Sequence, residues 1–199
     1  MIDINKRIDV LREMALFSSH SQYIVTKMLT ATDEGKQKHT IVDRAKDFEK
    51  YLQESAPFIH DEELIVGGHS LSLAPGSTLN VGSGDRIHNA PNYAKVLKMG
   101  FGGIRKQAQN LLTRTSDDEK REYYQAVDIA YTAAAEFVWR HALLAQTMAS
   151  KENDVQRRED KQPPTPFGKG EFLKISEVCS AIATEPASSF WEALQLLWF

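Results

Sequence analysis

Few side chains in this 199-residue sequence combine the type and the placement that chemistry needs, and His88 is the strongest candidate. It lies in the run GDRIHNAPNY, directly before a predicted helix and at the end of a glycine-rich stretch. Loops held by a rigid helical scaffold often carry binding groups. His88 is therefore a candidate ligand contact. Its neighbours Asp85 and Arg86 could instead form only a local ion pair.

Other reactive side chains fit structural roles better. Cys179, the single cysteine, shares an apolar helical stripe with Ile175 and Ile182. This placement indicates a buried thiol, because a reactive cysteine needs an accessible, electropositive site. His141 lies on a similar stripe and is predicted to be a core or interface histidine. His20, His39 and His60 lie near turns and are expected to be solvated, and the acidic run 61–63 is expected to be a solvated turn. His69 lies on the glycine-rich stretch and has no identifiable partner in the sequence.

Sequence motifs for common enzyme classes are missing. Gly82-Ser83-Gly84 lacks the third glycine of a dinucleotide-binding loop, and no phosphate loop, zinc-protease helix or nucleophile elbow occurs. A net charge of −3 argues against a general nucleic-acid or membrane-surface binder. One cysteine excludes a disulfide framework. The sequence shows neither a signal peptide nor an 18-residue apolar run, so a cytoplasmic protein is expected.

The elements that must position these residues are predicted to be helices. Apolar residues recur at spacings of three and four along most of the chain, which indicates a mainly α fold. A bend is expected at Gly102-Gly103, and Ser116 with Glu119 is expected to cap the longest helix. The predicted helices cover residues 3–17, 21–30, 41–52, 92–112, 116–150, 171–183 and 189–199.

Three segments between the predicted helices lack the apolar spacing of a helix. Leu64–Val66 is a short apolar run that could be a buried strand or an extended segment. Residues 67–92 show no helical period and are predicted to be an irregular loop. Residues 151–170 begin with a dense run of charges and continue with prolines, which is typical of a linker.

The last stretch, ASSFWEALQLLWF at residues 187–199, is the most apolar. Ser189 and Glu192 form a predicted capping box, and beyond Phe190 only Glu192 and Gln195 are polar. These two side chains are predicted to mark one narrow polar face. A helix that is apolar nearly all round is normally buried. We therefore expect the chain to be the front part of something larger.

An ordered set of segments resembles the glycyl radical enzymes, the group of pyruvate formate-lyase and glycerol dehydratase. The resemblance is nearer to the dehydratase branch, whose members act on small molecules such as diols and choline. The matching segments, in chain order, are RIDVLRE, RAKDFE, IHDEELIVGG, HNAPNYAKVLKMGFGG, residues 124–142 ending in RHA, and residues 176–199 ending in SFWEALQLLWF.

The resemblance implies a ten-stranded α/β barrel wrapped by helices, of which this chain is the helical N-terminal part. It also implies a glycyl radical, installed by an activating enzyme that uses S-adenosylmethionine and an iron–sulfur cluster, and a cysteine that carries the radical to the substrate. The chain is expected to end before both radical positions, and Cys179 matches a helix position ahead of the catalytic part. His88 matches, by its distance to Gly100, a histidine that approaches the substrate in the dehydratase branch.

The expected whole enzyme is a dehydratase or a C–C or C–N lyase, homodimeric, acting on a small polar substrate. Alone, this chain is expected to be inactive. In relatives a much longer segment separates the ELIVGG match from the histidine match than residues 69–87 do here, so part of the helical wrapping is expected to be absent or replaced. Two other functions stay open: a non-catalytic helical subunit, and a small-molecule binding module that uses the 67–92 loop. Either could dock through its C-terminal helix.

Overall fold

Helices account for most of the chain that can be described. The computed structural model describes residues 8–9, 40–59, 63–67, 92–151 and 169–199. No strand occurs within these ranges, and none of their helices has the length and apolar character needed to cross a membrane. The helices are α1 (Ile41–Glu54), α2 (Tyr93–Leu112), α3 (Asp118–Lys151), α4 (Lys169–Ile182) and α5 (Phe190–Trp198).

Several predicted segments fall largely outside the described residues. Of the predicted helix 3–17 only Ile8 and Asp9 are described, both helical. The predicted helix 21–30, nearly all of the 67–92 loop and most of the 151–170 linker lie outside the described ranges.

The long helix α3 is the centre of the fold. It packs against α4, α1 and α2, while α5 packs against α4 and α2. Several residues that α3 buries are alanines, which allow neighbouring helices to approach closely. They are Ala126, Ala133, Ala142, Ala145 and Ala149.

The core consists of two clusters that share Phe199. The larger cluster lies among α3, α4, α2 and α5, and the smaller one lies between α1 and α3 around Tyr51 and Phe137. Phe199 is half-buried and packs against both clusters. Burial raises the pKa of the Tyr51 phenol, which therefore stays neutral.

The predictions for α1 and α4 are confirmed. Thr40 caps α1 through a reciprocal capping box with Asp43, whose N–H lies 3.1 Å from the Thr40 hydroxyl. In α4 the predicted stripe of Ile175, Cys179 and Ile182 is buried together with two further apolar residues, each with 2 % or less of its surface exposed. These residues are Phe172, Ile175, Val178, Cys179 and Ile182.

The bend in α2 lies at Gly100, not at Gly102-Gly103 as the sequence suggested. Gly100 has φ 63° and ψ 176°, a combination open essentially to glycine alone. A Cβ at Gly100 would also lie only 2.5 Å from the carbonyl oxygen of Glu185. Gly102 is needed for a second reason, since a Cβ there would overlap the carbonyl oxygen of Thr184. The turn after α4 therefore rests directly on the α2 backbone.

The residue that caps α3 lies one position later than the predicted cap, Ser116, and the helix begins at Asp118. The carboxylate of Asp117, not the hydroxyl of Ser116, accepts the N–H of Lys120, at 3.1 Å. This hydrogen bond lowers the pKa of the Asp117 carboxyl.

The apolar side of α3 on which the sequence places His141 runs through Tyr123, Phe137 and Ala145. Phe137, His141 and Ala145 are buried, but Tyr123, near the start of the helix, is 53 % exposed.

Candidate functional site

The candidate ligand contact His88 lies outside the residues that the structure describes, as does His69. Both ends of the 67–92 stretch are described. At its far end, Asn92 caps α2, and its side-chain oxygen accepts the N–H of Lys95 at 3.0 Å. At its near end, residues 63–67 run against α5. The segment contains no strand and bends at Leu64 and Ile65, so the buried-strand reading of Leu64–Val66 is wrong.

Gln195 of α5 holds this segment by its backbone. Its side-chain oxygen accepts the N–H of Val66 at 2.9 Å, and its side-chain nitrogen donates to the carbonyl of Val66 at 2.6 Å. Gln195 and Val66 are both at least 99 % buried. Buried polar groups must be hydrogen-bonded, and one primary amide here satisfies both polar groups of one residue. Gln195 is thus not part of a polar surface face, contrary to the sequence prediction.

Two further side chains of α5 contact the same segment. The indole nitrogen of Trp191 donates to the carbonyl of Leu64 at 3.1 Å. The Phe199 ring lies against Gly67, where a Cβ would overlap it. Gly67 also has a positive φ of 107°, so a side chain is excluded there by the backbone as well as by the ring. We call residues 64–67 with Trp191, Gln195 and Phe199 the α5 joint.

His141 lies directly behind this joint. Its ring is 1 % exposed and contacts the rings of Phe199 and Phe137, at centroid distances of 5.1 Å and 4.6 Å. Its Nδ1 lies 3.0 Å from the carbonyl oxygen of Phe137, one turn back in α3. The prediction of a core histidine is confirmed.

The only sulfhydryl is unsuited to chemistry. Cys179 is fully buried in α4, and burial raises its thiol pKa to about 12. A thiol that stays protonated and out of solvent is not a nucleophile. Among the described residues, no group of three or more histidine, cysteine, aspartate or glutamate side chains is placed to hold a metal ion.

A shallow groove lies between α1 and α3. Its volume is about 310 Å³, and it is lined by Gln53, Ala133, Glu136, Trp139 and Arg140. Arg140 donates to the carbonyls of Leu52, Gln53 and Ser55, so its guanidinium closes the C-terminal end of α1. Partial burial lowers the pKa of Arg140. The guanidinium of Arg140 therefore holds α1 and α3 together.

A second side of α5, next to the one that forms the joint, is exposed and apolar. We call it the outer face, and its residues are Phe190 (79 % exposed), Leu194 (42 %), Leu197 (37 %) and Trp198 (56 %). Contiguous exposed apolar surface of this kind usually marks an interaction site. Within the part of the chain that the structure describes, no neighbour encloses Phe190, Leu194 or Trp198, which agrees with the expectation that this chain is part of something larger.

A signal for the joint was present in the sequence but was misread. The spacing of Glu192 and Gln195 predicts one narrow polar face for both side chains. An amide among leucines and tryptophans is equally typical of a buried group with a backbone partner. The sequence could not show which backbone that was, because Val66 lies 129 residues away.

A family model described as pyruvate formate lyase-like matches residues 78–199. An isethionate sulfite-lyase of Desulfovibrio desulfuricans is 38 % identical over 114 residues, an alignment covering 54 % of this chain and 12 % of that protein. The chain therefore spans only a small part of the length of its curated relatives.

Solved structures give the same fold. A glycerol-bound B12-independent glycerol dehydratase from Clostridium butyricum superposes with a TM-score of 0.61 at 22 % identity, covering 86 % of this chain and 30 % of that one. A glycyl radical enzyme from Archaeoglobus fulgidus gives a TM-score of 0.60 at 20 % identity, with 91 % and 31 % covered. The described helices thus have the arrangement of a helical part of these larger proteins.

Proposed function

Because this chain belongs to the pyruvate formate lyase-like family, as the N-terminal part of a glycyl radical enzyme, we propose that it forms the helical support of a dehydratase or lyase. The family match over residues 78–199 carries the proposal. The relatives are named for isethionate and glycerol, so the proposed substrate is a small polar molecule of that kind.

The reaction would rest on a glycyl radical, which supplies hydrogen-atom abstraction from the substrate through a cysteine. The one cysteine of this chain does not fit that role, because Cys179 is enclosed among apolar side chains of α4. We therefore assign no radical step to these 199 residues. The radical glycine, the catalytic cysteine and the activating enzyme with S-adenosylmethionine and an iron–sulfur cluster are proposed to come from outside them.

Within this chain, His88 is the proposed substrate contact. Its two flanking anchors are the α5 joint at Gly67 and the Asn92 cap of α2. Both anchors are fixed by hydrogen bonds on rigid helices, which is the setting in which loop residues bind ligands reproducibly. The rest of the enzyme is proposed to cover the outer face of α5, and the complete protein is proposed to be a homodimer.

The first test is the DNA that follows codon 199. An in-frame continuation, or a neighbouring gene, that encodes a cysteine loop and a C-terminal glycine motif supports the proposal. A gene for a radical S-adenosylmethionine activase nearby would support it further. A stop codon with no such gene favours the rival reading, a non-catalytic subunit or binding module that docks through α5.

The second test uses the complete protein after anaerobic activation. We expect a glycyl radical signal by electron paramagnetic resonance and turnover of a small diol or hydroxysulfonate. His88→Ala should lower kcat/KM by roughly tenfold or more, the cost of a lost substrate hydrogen bond, without lowering the radical signal. Asn89→Ala is the matched control. Equal turnover in both variants would remove His88 from the proposed site.

A further inference from the structure

We propose that the inner side of α5 recognises main-chain groups of residues 64–67, so that this segment and α5 become ordered as one unit. This inference does not depend on the proposed function. It concerns what holds the α5 joint together and which groups are required, and it holds whether or not the complete protein is an enzyme.

Recognition in the joint is directed at main-chain atoms. The side chain of Gln195 is hydrogen-bonded to the N–H and the carbonyl of Val66, and the indole N–H of Trp191 donates to the carbonyl of Leu64. These are the groups that a neighbouring strand would satisfy in a sheet. Here a helix supplies them through side chains, so a segment without a strand partner has these backbone groups hydrogen-bonded. An amide is required at position 195, because both a donor and an acceptor are used.

At position 67 the joint accepts only a residue without a side chain. The Phe199 ring occupies the space that a Cβ would take at Gly67, and the same ring packs on His141 and Phe137. Removing the segment would therefore uncover one side of Phe199, and removing α5 would leave both polar groups of Val66 buried without partners. Each half of the joint thus depends on the other.

The joint and the outer face are adjacent sides of one short helix. Trp191, Gln195 and Phe199 contact the segment, whereas Phe190, Leu194 and Trp198 are 42–79 % exposed. Trp191 lies seven residues before Trp198 and therefore close to it around the helix, but Gln195 is 1 % exposed and borders the segment directly. Substitution of Gln195 therefore tests the joint without changing an exposed residue of the outer face.

The test measures amide hydrogen exchange at Val66 by nuclear magnetic resonance. Gln195→Met keeps the length of the side chain but removes both hydrogen bonds, and Val66 exchange should rise by roughly tenfold or more. In Gln195→Glu an ionised carboxylate still accepts the Val66 N–H but has no donor for the Val66 carbonyl, so Val66 should exchange faster than in the parent chain and more slowly than in Gln195→Met. A protonated carboxyl offers one donor and one acceptor, and burial favours this form, so Val66 protection should rise further as the pH falls.

The parent chain, measured at each pH, corrects for the other titratable groups near the joint. These are His141, which contacts Phe199 from α3, and Glu192 on α5 itself. Gln195→Met has no carboxyl and should show no recovery at low pH. Recovery in Gln195→Glu alone is a result that simple loss of packing would not produce.

Two further measurements guard against general unfolding. Trp191→Phe removes only the indole donor and should accelerate exchange within residues 64–67 by a smaller factor. The amide of Cys179, deep in α4, should keep its exchange rate in all three variants. Unchanged Val66 exchange in Gln195→Met would overturn the proposal, and so would an equal rise at Val66 and Cys179.

Discussion

Helices α4 and α5 follow one another in the chain but are buried to very different degrees. In α4, the residues Phe172, Ile175 and Ile182 are each at most 1 % exposed. In α5, which has the higher share of apolar residues, Phe190 is 79 % exposed and Trp198 is 56 % exposed. The more apolar helix is thus the less buried one.

The difference lies in how the apolar residues are distributed around each helix. All but one of the large apolar residues of α4 lie on one stripe that α3 and its neighbours cover, and only Leu173, at 44 %, is exposed. Those of α5 surround the helix, and the described part of the chain covers only the side that holds Gln195 and Leu196. Burial therefore depends on the neighbours available on each side and not on apolar content alone.

The comparison is tested most strongly by truncating one phenylalanine in each helix. Phe172→Ala in α4 should lower the free energy of unfolding by about 3–5 kcal/mol, because it leaves a cavity in a closed core. Phe190→Ala, the matched change in α5, should cost no more than about 0.5 kcal/mol, because that ring is already in water. Urea denaturation of both variants measures this. Equal losses would contradict the assignment of the outer face.

The turn between the two helices gives the next largest effect. Gly100→Ala forces a side chain into a glycine-only backbone region and against the backbone of Glu185, which should cost about 2–4 kcal/mol. Gly170→Ala is the control, since nothing lies within 4 Å of a Cβ there. That variant should match or slightly exceed the parent in a urea titration. A tolerated Gly100→Ala would show that the turn can move away from α2.

The outer face itself should matter more for association than for stability. Leu194→Asp combined with Trp198→Asp should change the free energy of unfolding by less than about 1 kcal/mol while raising solubility. The unmodified chain is expected to self-associate through residues 187–199. Light scattering of both forms over a range of concentrations checks this. A monomeric parent chain at high concentration would speak against an interaction role for α5.

The smallest effect expected is on pH dependence. Hydrogen bonds from the hydroxyl and N–H of Ser188, 2.7 Å and 2.6 Å long, lower the pKa of Glu192. The carboxylate therefore stabilises the folded chain above its ordinary pKa of 4.5, and this contribution is lost as the pH falls through the lowered value. Because Glu192 is largely solvated, less than about 1 kcal/mol is involved. As the pH is lowered from 4.5, the urea midpoint of Glu192→Gln should fall less than that of the parent chain.

The helical fold was predictable because its signals are local. Apolar spacing placed α1 and α4 and indicated the buried side of α4 around Ile175, Cys179 and Ile182, and the cap at Ser189 was predicted correctly. The capping box at α5 was right only in part. Ser189 accepts the N–H of Glu192 at 3.2 Å, but the Glu192 carboxylate turns to Ser188 instead of the Ser189 backbone.

By itself, the sequence determined that the chain is helical, that Cys179 and His141 are core residues, and that its segments belong to one enzyme family. Each of these follows from residues near one another in the chain or from their order. Only the tertiary structure decided that Gln195 is buried against Val66 and that Gly100, pressed by Glu185, bends α2. Those features depend on contacts between distant segments, and a backbone partner leaves no trace in side-chain pattern because every residue carries the same N–H and carbonyl.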